Sequence, residues 1–590
     1  MRSLLLLTLV PFLSFAQTTA GDRDWRLQLT AQGSLTSGEK FESIGVATFT
    51  GLENTLSSRG GFDAAYREFK AQNNLTYGVW QEAEAFRNYL RDCNIEAPVD
   101  QIAMRLGLSR VFSSQNDNEV RQVFTDLGSQ LTFEKKIELA SRLGGMLVEN
   151  YDYERAGGGP HSEGVVTIRD MINGRRSGDP SGVCRDMSQA IAVSLKQMGV
   201  DQVYVLAYQT VGAGHATVLV QDPNNPSKTY NINYNYQTST ESGSALSHVQ
   251  QDSSIPSVGT DMRIYTPEGR QLQNLPTHLG LALNEIAGRR ASDVDPMLRN
   301  ESLVAAARYN VGHGITVGAG AASTPDGDRV IGVTSSLESD SAHFPMRLSV
   351  VLYHNERETD RRGDLTSNGV FLEGEQRIVS DPLSIQTGRG VLSTNVEGRV
   401  NLNMNMSRSQ LSGSSAGPGI SGSRDVTTSA AINTRFQSTN GNTTANARLE
   451  VTGGLSTPDV RDSKAISFDL RNVAGSVEVS QRLTSNLDGF ATGTIIARPE
   501  FGTQSRQEVG ILRRNQDGSL TSLILGHEGQ VTGEAPVFIP GSRERITLDA
   551  RYETNRYAVA GGIFCRQNNS GLRDCGAQTS ATLKFGGSRP

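Results

Sequence analysis

The sequence predicts an α+β domain followed by an all-β antiparallel domain. Residues 60–159 carry apolar side chains at three- and four-residue spacing, which indicates amphipathic helices. After about residue 301 apolar and polar side chains alternate and helical spacing is almost lost, which indicates strands. The chain has 590 residues, more than one hydrophobic core usually serves, so at least two domains are expected.

The composition argues against a nucleic-acid partner. The net charge is -6, so the chain lacks the positive excess that phosphate contacts require. It contains 62 glycines and only 6% aromatic residues, a balance that is typical of turn-rich β structure over part of its length.

The first sixteen residues have the pattern of a secretory signal peptide. A basic start at Arg2 precedes an apolar run from Leu4 to Phe15, and small residues at Ser14 and Ala16 fit cleavage after Ala16. The run is short for a membrane-spanning helix, so cleavage is favoured over an uncleaved anchor. Export is therefore expected.

Two of the four cysteines are predicted to form a disulfide, because an exported chain enters an oxidising compartment. Cys565 and Cys575 flank a short loop between two strand-like runs and are placed to staple that hairpin. Cys93 and Cys184 are expected to stay outside disulfides, with a bond between them as the alternative.

The helical part contains two well-marked segments and a smaller mixed unit. Apolar spacing marks residues 62–72, and a second run begins at Thr132 with Glu134 close behind, a capping-like start. Residues 165–233 follow the order helix, turn, helix, strand, strand. The stretch 237–259 is rich in Ser, Thr and Gln and is predicted to be a loop.

The second half carries about a dozen alternating runs separated by turn clusters, which predicts an up-and-down barrel or a β-sandwich array. Examples are residues 347–355, 398–407, 446–454, 476–483, 545–553 and 580–585. Strand length and predicted export favour an outer-membrane β-barrel. Sparse aromatic residues and a tail beyond Phe585 favour the alternative, a soluble β domain that is periplasmic or secreted.

The segment 181–199 carries the sharpest chemical signal. Gly182 permits a tight turn, and the periodic residues after Cys184 predict a helix that begins at or near this cysteine. A helix N-terminus favours thiolate over thiol and offers backbone N–H groups to an oxyanion. The alternative is that Cys184 is a small buried hydrophobic residue.

Two polar groups follow that could serve such a thiol. His215 opens a strand after a Gly-rich turn, where it could take the thiol proton, or else be an ordinary surface histidine. Asn231 and Asn233 project to one face of a later strand, where either could orient the imidazole or simply bond across strands. No histidine has metal-ligand spacing, so neither a metal nor a cofactor is expected.

In series, these residues resemble the transglutaminase-like superfamily. Its motif G-x-C-R-D matches residues 182–186, its G-H-A matches residues 214–216, and its aromatic-x-x-acid strand falls on Tyr230 and Asn233. The resemblance covers roughly residues 140–240. It implies a papain-like core, and departs from the family at Asn233, where Asp is usual and would stabilise an imidazolium.

The resemblance implies Cys184 as nucleophile, His215 as acid and base, and Asn233 as the orienting group. The expected function is covalent acyl transfer on peptide or amide bonds, hydrolysis being favoured over cross-linking because bacterial relatives are often hydrolases. The expected substrate is a protein or peptide in the cell envelope. The alternative is a non-catalytic barrel, anchor or adhesin with an inert transglutaminase-like domain.

These inferences divide the chain into five parts. They are a signal peptide (1–16), an N-terminal β segment (17–59), a helical plus transglutaminase-like domain (60–240), a linker or extension (241–300) and a β-barrel-like domain (301–590).

Overall fold

The computed structural model describes most of the chain from residue 25 to residue 585. The predicted signal peptide and Gly182 lie outside the described residues. The described ranges are 25–34, 41–45, 49–73, 78–150, 168, 184–211, 214–225, 228–240, 257–290, 300, 302–358, 363–412, 418–457, 467–498, 502–532, 544–554, 556–567 and 573–585.

Seven α-helices of the described residues lie between β2 and β3, two strands of the sheet that carries the candidate site. They are α1 (Thr50–Thr55), α2 (Phe62–Gln72), α3 (Val79–Asp92), α4 (Val99–Ser113), α5 (Asp117–Gln130), α6 (Phe133–Asn150) and α7 (Cys184–Gln197). Helix α2 coincides with the segment predicted from periodicity. The backbone N–H of Lys135 donates to Oγ1 of Thr132 at 3.4 Å, so Thr132 caps α6 as its sequence suggested.

Helix α7 packs against a seven-stranded antiparallel sheet in the described part of the chain, with strand order β2-β6-β5-β4-β3-β7-β8. One core joins Met187 and Ile191 of α7 to Val218, and a second core covers the opposite face. The strands are β2 (Phe41–Gly45), β3 (Val203–Gln209), β4 (Gly214–Gln221), β5 (Thr229–Asn233), β6 (Tyr236–Thr240), β7 (Asp261–Tyr265) and β8 (Gln271–Pro276).

The remaining strands form one closed antiparallel barrel, here called the wall. Because β13 and β14 both pair with β15, the seventeen described strands occupy sixteen places around the wall. They are β1 (Trp25–Ser34), β9 (Leu303–Gly312), β10 (Ile315–Ser323), β11 (Arg329–Ser339), β12 (Met346–Arg357), β13 (Leu365–Val379), β14 (Leu383–Thr387), β15 (Gly390–Leu411), β16 (Gly419–Ser438), β17 (Thr443–Thr457), β18 (Ser467–Thr484), β19 (Leu487–Arg498), β20 (Gly502–Arg514), β21 (Leu520–Thr532), β22 (Glu544–Glu553), β23 (Tyr557–Gln567) and β24 (Arg573–Phe585).

The predicted barrel is confirmed as a closed wall, but its predicted boundary is wrong. Strand β1 pairs with β24, Trp25 opposite Phe585, and with β9, Thr30 opposite Val304. Residues 35–302, here called the insert, therefore leave the wall after its first strand and return to it at β9. The alternation of the ten residues of β1 could not show that this strand pairs with strands far along the chain.

The predicted linker, residues 241–300, also contains ordered elements: β7, β8 and a further helix, α8 (His278–Ala287). All ten residues of α8 are buried, including the polar residues His278, Asn284 and Glu285. The helix packs against the same wall face as Val330 and Tyr353, which is the inner one. Helix α8 therefore lies in the lumen of the barrel.

Wall residues hold the lumen helix at its C-terminal end. Nη2 of Arg308 donates to the carbonyl oxygens of Glu285 and Ile286, the second at 3.2 Å, and Nη2 of Arg347 donates to that of Ala287 at 3.2 Å. A Cβ on Gly320 would lie 3.1 Å from Cγ1 of Ile286, so the missing side chain gives the helix room. These donors pair the carbonyl groups of Ile286 and Ala287 at the helix end, and they add to the bond that the N–H of Gly288 donates to Glu285.

The two faces of the wall differ in polarity. On β11, Ile331 and Val333 are 63% and 59% exposed on the outside, whereas Thr334 is buried on the inside. Buried wall residues include many polar ones, among them Ser349, Asn355, Ser367, Glu373, Asn405 and Ser409. An apolar outer face and a polar lumen are the pattern of a barrel that crosses a lipid bilayer.

Within the described residues, no helix has the length and apolar character needed to cross a membrane. Cys565 and Cys575 form the predicted disulfide between β23 and β24. Cys93 and Cys184 carry thiols outside any disulfide, as expected.

Candidate functional site

Cys184 is the first residue of α7, at the positive end of the helix dipole. The side chain is 8% exposed. Sγ lies 3.8 Å from the carbonyl oxygen of Gly214, the residue that opens β4. The thiol therefore sits at the beginning of the strand that carries His215.

A polar contact and a hydrophobic layer fix α7 against β4. Oγ of Ser188, one turn into the helix, donates to the carbonyl oxygen of Ala216 at 2.9 Å. Ala216 and Val218 pack in the same core as Met187. Because Ala216 follows His215 directly, this contact sets the helix start relative to the histidine.

His215 is buried between two tyrosine rings. Tyr208, its cross-strand neighbour on β3, meets the imidazole edge-to-face with ring centroids 5.5 Å apart. Tyr234 lies on another side, with centroids 5.7 Å apart and the planes at 64°. With only 5% exposure, the imidazole has little freedom to rotate.

Asn233, the last residue of β5, completes the arrangement. Its Oδ1 lies 3.0 Å from Nε2 of His215. With Oδ1 as acceptor, Nε2 carries the ring proton, and Nδ1 is the nitrogen suited to accept a proton from a thiol. The structure thus brings the predicted His215 and Asn233 together.

Asn231 does not bond to His215 in the described contacts. It lies two residues earlier on β5, opposite Leu219 of β4. Both polar atoms of its side chain are buried and have no hydrogen-bond partner among the described residues. Of the two predicted asparagines, Asn233 is the one that contacts the imidazole.

Cys184 belongs to a helix on one face of the sheet, whereas the side chain of His215 lies on the other face. Helix α7 packs on the face that carries Ala216 and Val218, whereas His215 shares the opposite face with its cross-strand neighbour Tyr208. The described contact of the thiol is with the carbonyl oxygen of Gly214, at the end of β4 and next to His215 in the chain.

Helix α6 positions the turn that follows Asn233. Tyr234 has a left-handed backbone, φ 54°, in the tight β5–β6 turn. A Cβ on Gly144 would lie 2.5 Å from the carbonyl oxygen of Tyr234, so only glycine lets the helix approach the turn this closely. The sequence analysis did not identify this contact, although the pair Gly144-Gly145 inside a helical segment was a signal for it.

Charges close to the thiol are paired. Asp186 is almost fully buried, and its Oδ1 lies 3.4 Å from Nη2 of Arg185. Burial raises the pKa of Tyr265 on β7, although the guanidinium of Arg263 acts to lower it. In the described part of the chain, no group of three or more His, Cys, Asp or Glu side chains is arranged to hold a metal ion.

No protein-family model matches the chain, and no curated protein is similar to it in sequence. Similar solved structures include CdiB from Acinetobacter baumannii, with 10% identity over 48% of this chain and 57% of that one and a TM-score of 0.34. CdiB from Escherichia coli has 10% identity over 48% and 59%, with a TM-score of 0.33. The chain thus spans a little over half the length of either CdiB structure.

BamA from Haemophilus ducreyi lacking POTRA domains 1–3 is similar over 48% of this chain and 67% of that one, with 8% identity and a TM-score of 0.26. Identities and TM-scores this low support no conclusion about function. The closed wall itself, with its apolar outer face and polar lumen, has the architecture of a strand-built membrane protein. The protein is located in the outer membrane.

Proposed function

We propose that the outer-membrane wall carries a cysteine enzyme that acts on peptide or amide bonds by covalent acyl transfer. The observation that carries this proposal is the 3.0 Å contact between Nε2 of His215 and Oδ1 of Asn233, beside a cysteine at a helix start. A nucleophile, a base and a group that orients the base are the parts that cysteine acyl transfer needs.

In the first half of the proposed reaction, Nδ1 of His215 accepts the proton of Cys184 Sγ. The thiolate attacks the carbonyl carbon of a carboxamide, and a C–S bond forms. The backbone N–H of Cys184, at the start of α7, stabilises the oxyanion. The imidazolium then gives its proton to the leaving nitrogen as the C–N bond breaks, which leaves a thioester.

In the second half, His215 takes a proton from water, and the oxygen attacks the thioester carbonyl. A C–O bond forms, the C–S bond breaks, and the proton returns to Sγ, so the product is a carboxylic acid. An amine in place of water would give a cross-link. The resemblance to the transglutaminase-like superfamily favours water, because bacterial relatives of that fold are often hydrolases.

Asn233 supports the proton transfer differently from an aspartate. Its amide fixes the imidazole by a hydrogen bond but brings no negative charge to the imidazolium. We therefore infer that orientation, rather than charge stabilisation, is the contribution of Asn233.

A second candidate function is an outer-membrane anchor with an inert domain. The specific observation in its favour is the contact of Sγ with the Gly214 carbonyl oxygen, since an acceptor at 3.8 Å favours the protonated thiol. In this case the barrel and its surface would carry the function. Cys184→Ala would then leave every property of the protein unchanged.

A generic acyl donor distinguishes the two candidates. The purified full chain is incubated with dimethylcasein and dansylcadaverine, and both new amino termini and incorporated dansyl groups are measured. The enzyme proposal predicts product with wild type and with the matched control Cys93→Ala, and none with Cys184→Ala. Equal product from all three proteins would contradict it.

A further inference from the structure

The connections at the two ends of the wall differ in length. At one end, seven hairpin connections run from two residues (313–314) to six (340–345), and five of them have four or fewer. At the other end, seven run from three residues (499–501) to eleven (533–543), and six of them have five or more. Outer-membrane barrels have short turns on the periplasmic side and longer loops on the outside.

The insert belongs to the end with the longer connections. Strand β1 runs from Trp25, opposite Phe585, to Ser34, opposite Gly576. Strand β9 starts at Leu303, where Val304 is opposite Thr30 of β1. The chain therefore leaves the wall after Ser34 and re-enters at Leu303 on the same rim, which also holds the 324–328 and 412–418 connections.

Contacts seat the insert on this rim. Nη2 of Arg263 on β7 donates to the carbonyl oxygen of Arg424 at 3.1 Å, near the start of β16. Val258 packs with Leu365 and Leu411, the residues at the rim ends of β13 and β15. The insert is thus joined to the rim by side-chain and backbone contacts, not by its two connections alone.

The lumen helix enters from the same rim. His278, its first residue, contacts Asp326 in the 324–328 connection through Nδ1 and Oδ2, 2.6 Å apart. Its C-terminal end reaches Arg308 and Arg347 farther along the lumen. The strand β8 and helix α8 therefore lead from the sheet of the candidate site directly into the barrel.

We infer that the insert, and the Cys184 site within it, lies on the outer surface of the cell. This inference rests on the proposed function only for its second part: the acyl donor is a protein or peptide that reaches the cell from outside. Amide groups of the periplasm are on the other side of the wall.

Cysteine labelling tests the location on the full chain. In a Cys93→Ser background, Glu96→Cys adds a thiol to the exposed surface of the insert, and Gln516→Cys adds one to an exposed turn at the short-turn end. Whole cells are treated with a membrane-impermeant maleimide, before and after permeabilisation of the outer membrane. The background protein corrects for Cys184, and Cys565 and Cys575 are disulfide-bonded.

The inference predicts that Glu96→Cys is labelled in intact cells and that Gln516→Cys is labelled only after permeabilisation. Labelling of Gln516→Cys in intact cells, with Glu96→Cys protected, would overturn it. Dimethylcasein supplied outside intact cells tests the substrate class separately, with Cys184→Ala as control. Surface labelling without casein turnover would refute the substrate class and leave the location standing, whereas protection of Glu96→Cys refutes the location whatever the activity.

Discussion

Oδ1 of Asn233 lies 3.0 Å from Nε2 of His215, in a buried pocket formed by Tyr208 and Tyr234. With Oδ1 as acceptor, this contact places the ring proton on Nε2 and leaves Nδ1 as the nitrogen suited to accept a proton. In the proposed reaction, Asn233 orients the imidazole as an aspartate does in the family that the sequence resembles, without adding a buried charge.

We expect Asn233→Ala to lower turnover by about 10- to 100-fold, the cost of losing one strong hydrogen bond in the transition state. Asn233→Asp should keep the bond and add a charge that stabilises the imidazolium, so its turnover should equal or exceed that of wild type. Initial rates on dimethylcasein measure both effects. Equal rates in the three proteins would remove Asn233 from the mechanism.

Gly144→Ala should disturb the site from the opposite side of the β5–β6 turn. The added Cβ would lie 2.5 Å from the carbonyl oxygen of Tyr234, so the turn must move. Such overpacking costs about 1–3 kcal/mol, and we expect a lower midpoint of thermal unfolding together with reduced turnover.

Gly51→Ala is the matched control for Gly144→Ala. Gly51 lies in helix α1, and an added Cβ there meets no atom within 4 Å. The control should be neutral or more stable by up to about 1 kcal/mol. Wild-type stability and turnover in Gly144→Ala would show that α6 does not position the turn.

Leu29→Pro should weaken closure of the wall. Leu29 lies in the middle of β1, between Ala305 of β9 and Ala581 of β24, and proline removes a backbone donor from the ladder. We expect the variant to lose the heat-modifiable shift on gels that a closed barrel gives. Leu29→Val, which keeps the donor, should behave as wild type, and an unchanged shift in Leu29→Pro would contradict the role of β1.

Removing the donors to the lumen helix should loosen it. The double variant Arg308→Ala, Arg347→Ala leaves the last carbonyl groups of α8 without their wall partners, at about 1–3 kcal/mol for each buried group. In planar bilayers, we expect the double variant to show a higher conductance than the wild type, because a loosened helix obstructs the lumen less. Arg408→Ala, on an exposed wall position, is the control, and equal conductance in both variants would show that the helix does not depend on these arginines.

Local patterns predicted the elements that are regular and one-sided. Helix α2 and the alternating wall strands show their buried faces in the sequence, whereas the choice of Asn233 over Asn231 came from the aromatic-x-x-acid motif of the family that the sequence resembles. Strand β1 and helix α8 could not be assigned in the same way. The partners of β1 are distant in sequence, and only the packed structure shows that the short apolar segment of α8 is enclosed by the wall.

Contacts between distant elements were also beyond the sequence. The approach of Gly144 to Tyr234 joins a helix to a turn about ninety residues away, and only the packed structure shows it. The same holds for the rim on which the insert sits, because that rim is defined by the pairing of β1 with β9 and β24. Sequence motifs identified the candidate residues, and long-range packing decides where their chemistry takes place.

The rate at which iodoacetamide alkylates Cys184 at neutral pH, relative to Cys93 in the same protein, tests the proposed enzyme most directly. Cys93 is the more exposed thiol, so accessibility alone would make it react first. Activation by the helix start and by His215 predicts that Cys184 reacts about 10-fold faster or more, and that His215→Ala removes the difference. Slower alkylation of Cys184 than of Cys93, with no effect of His215→Ala, would contradict the proposal.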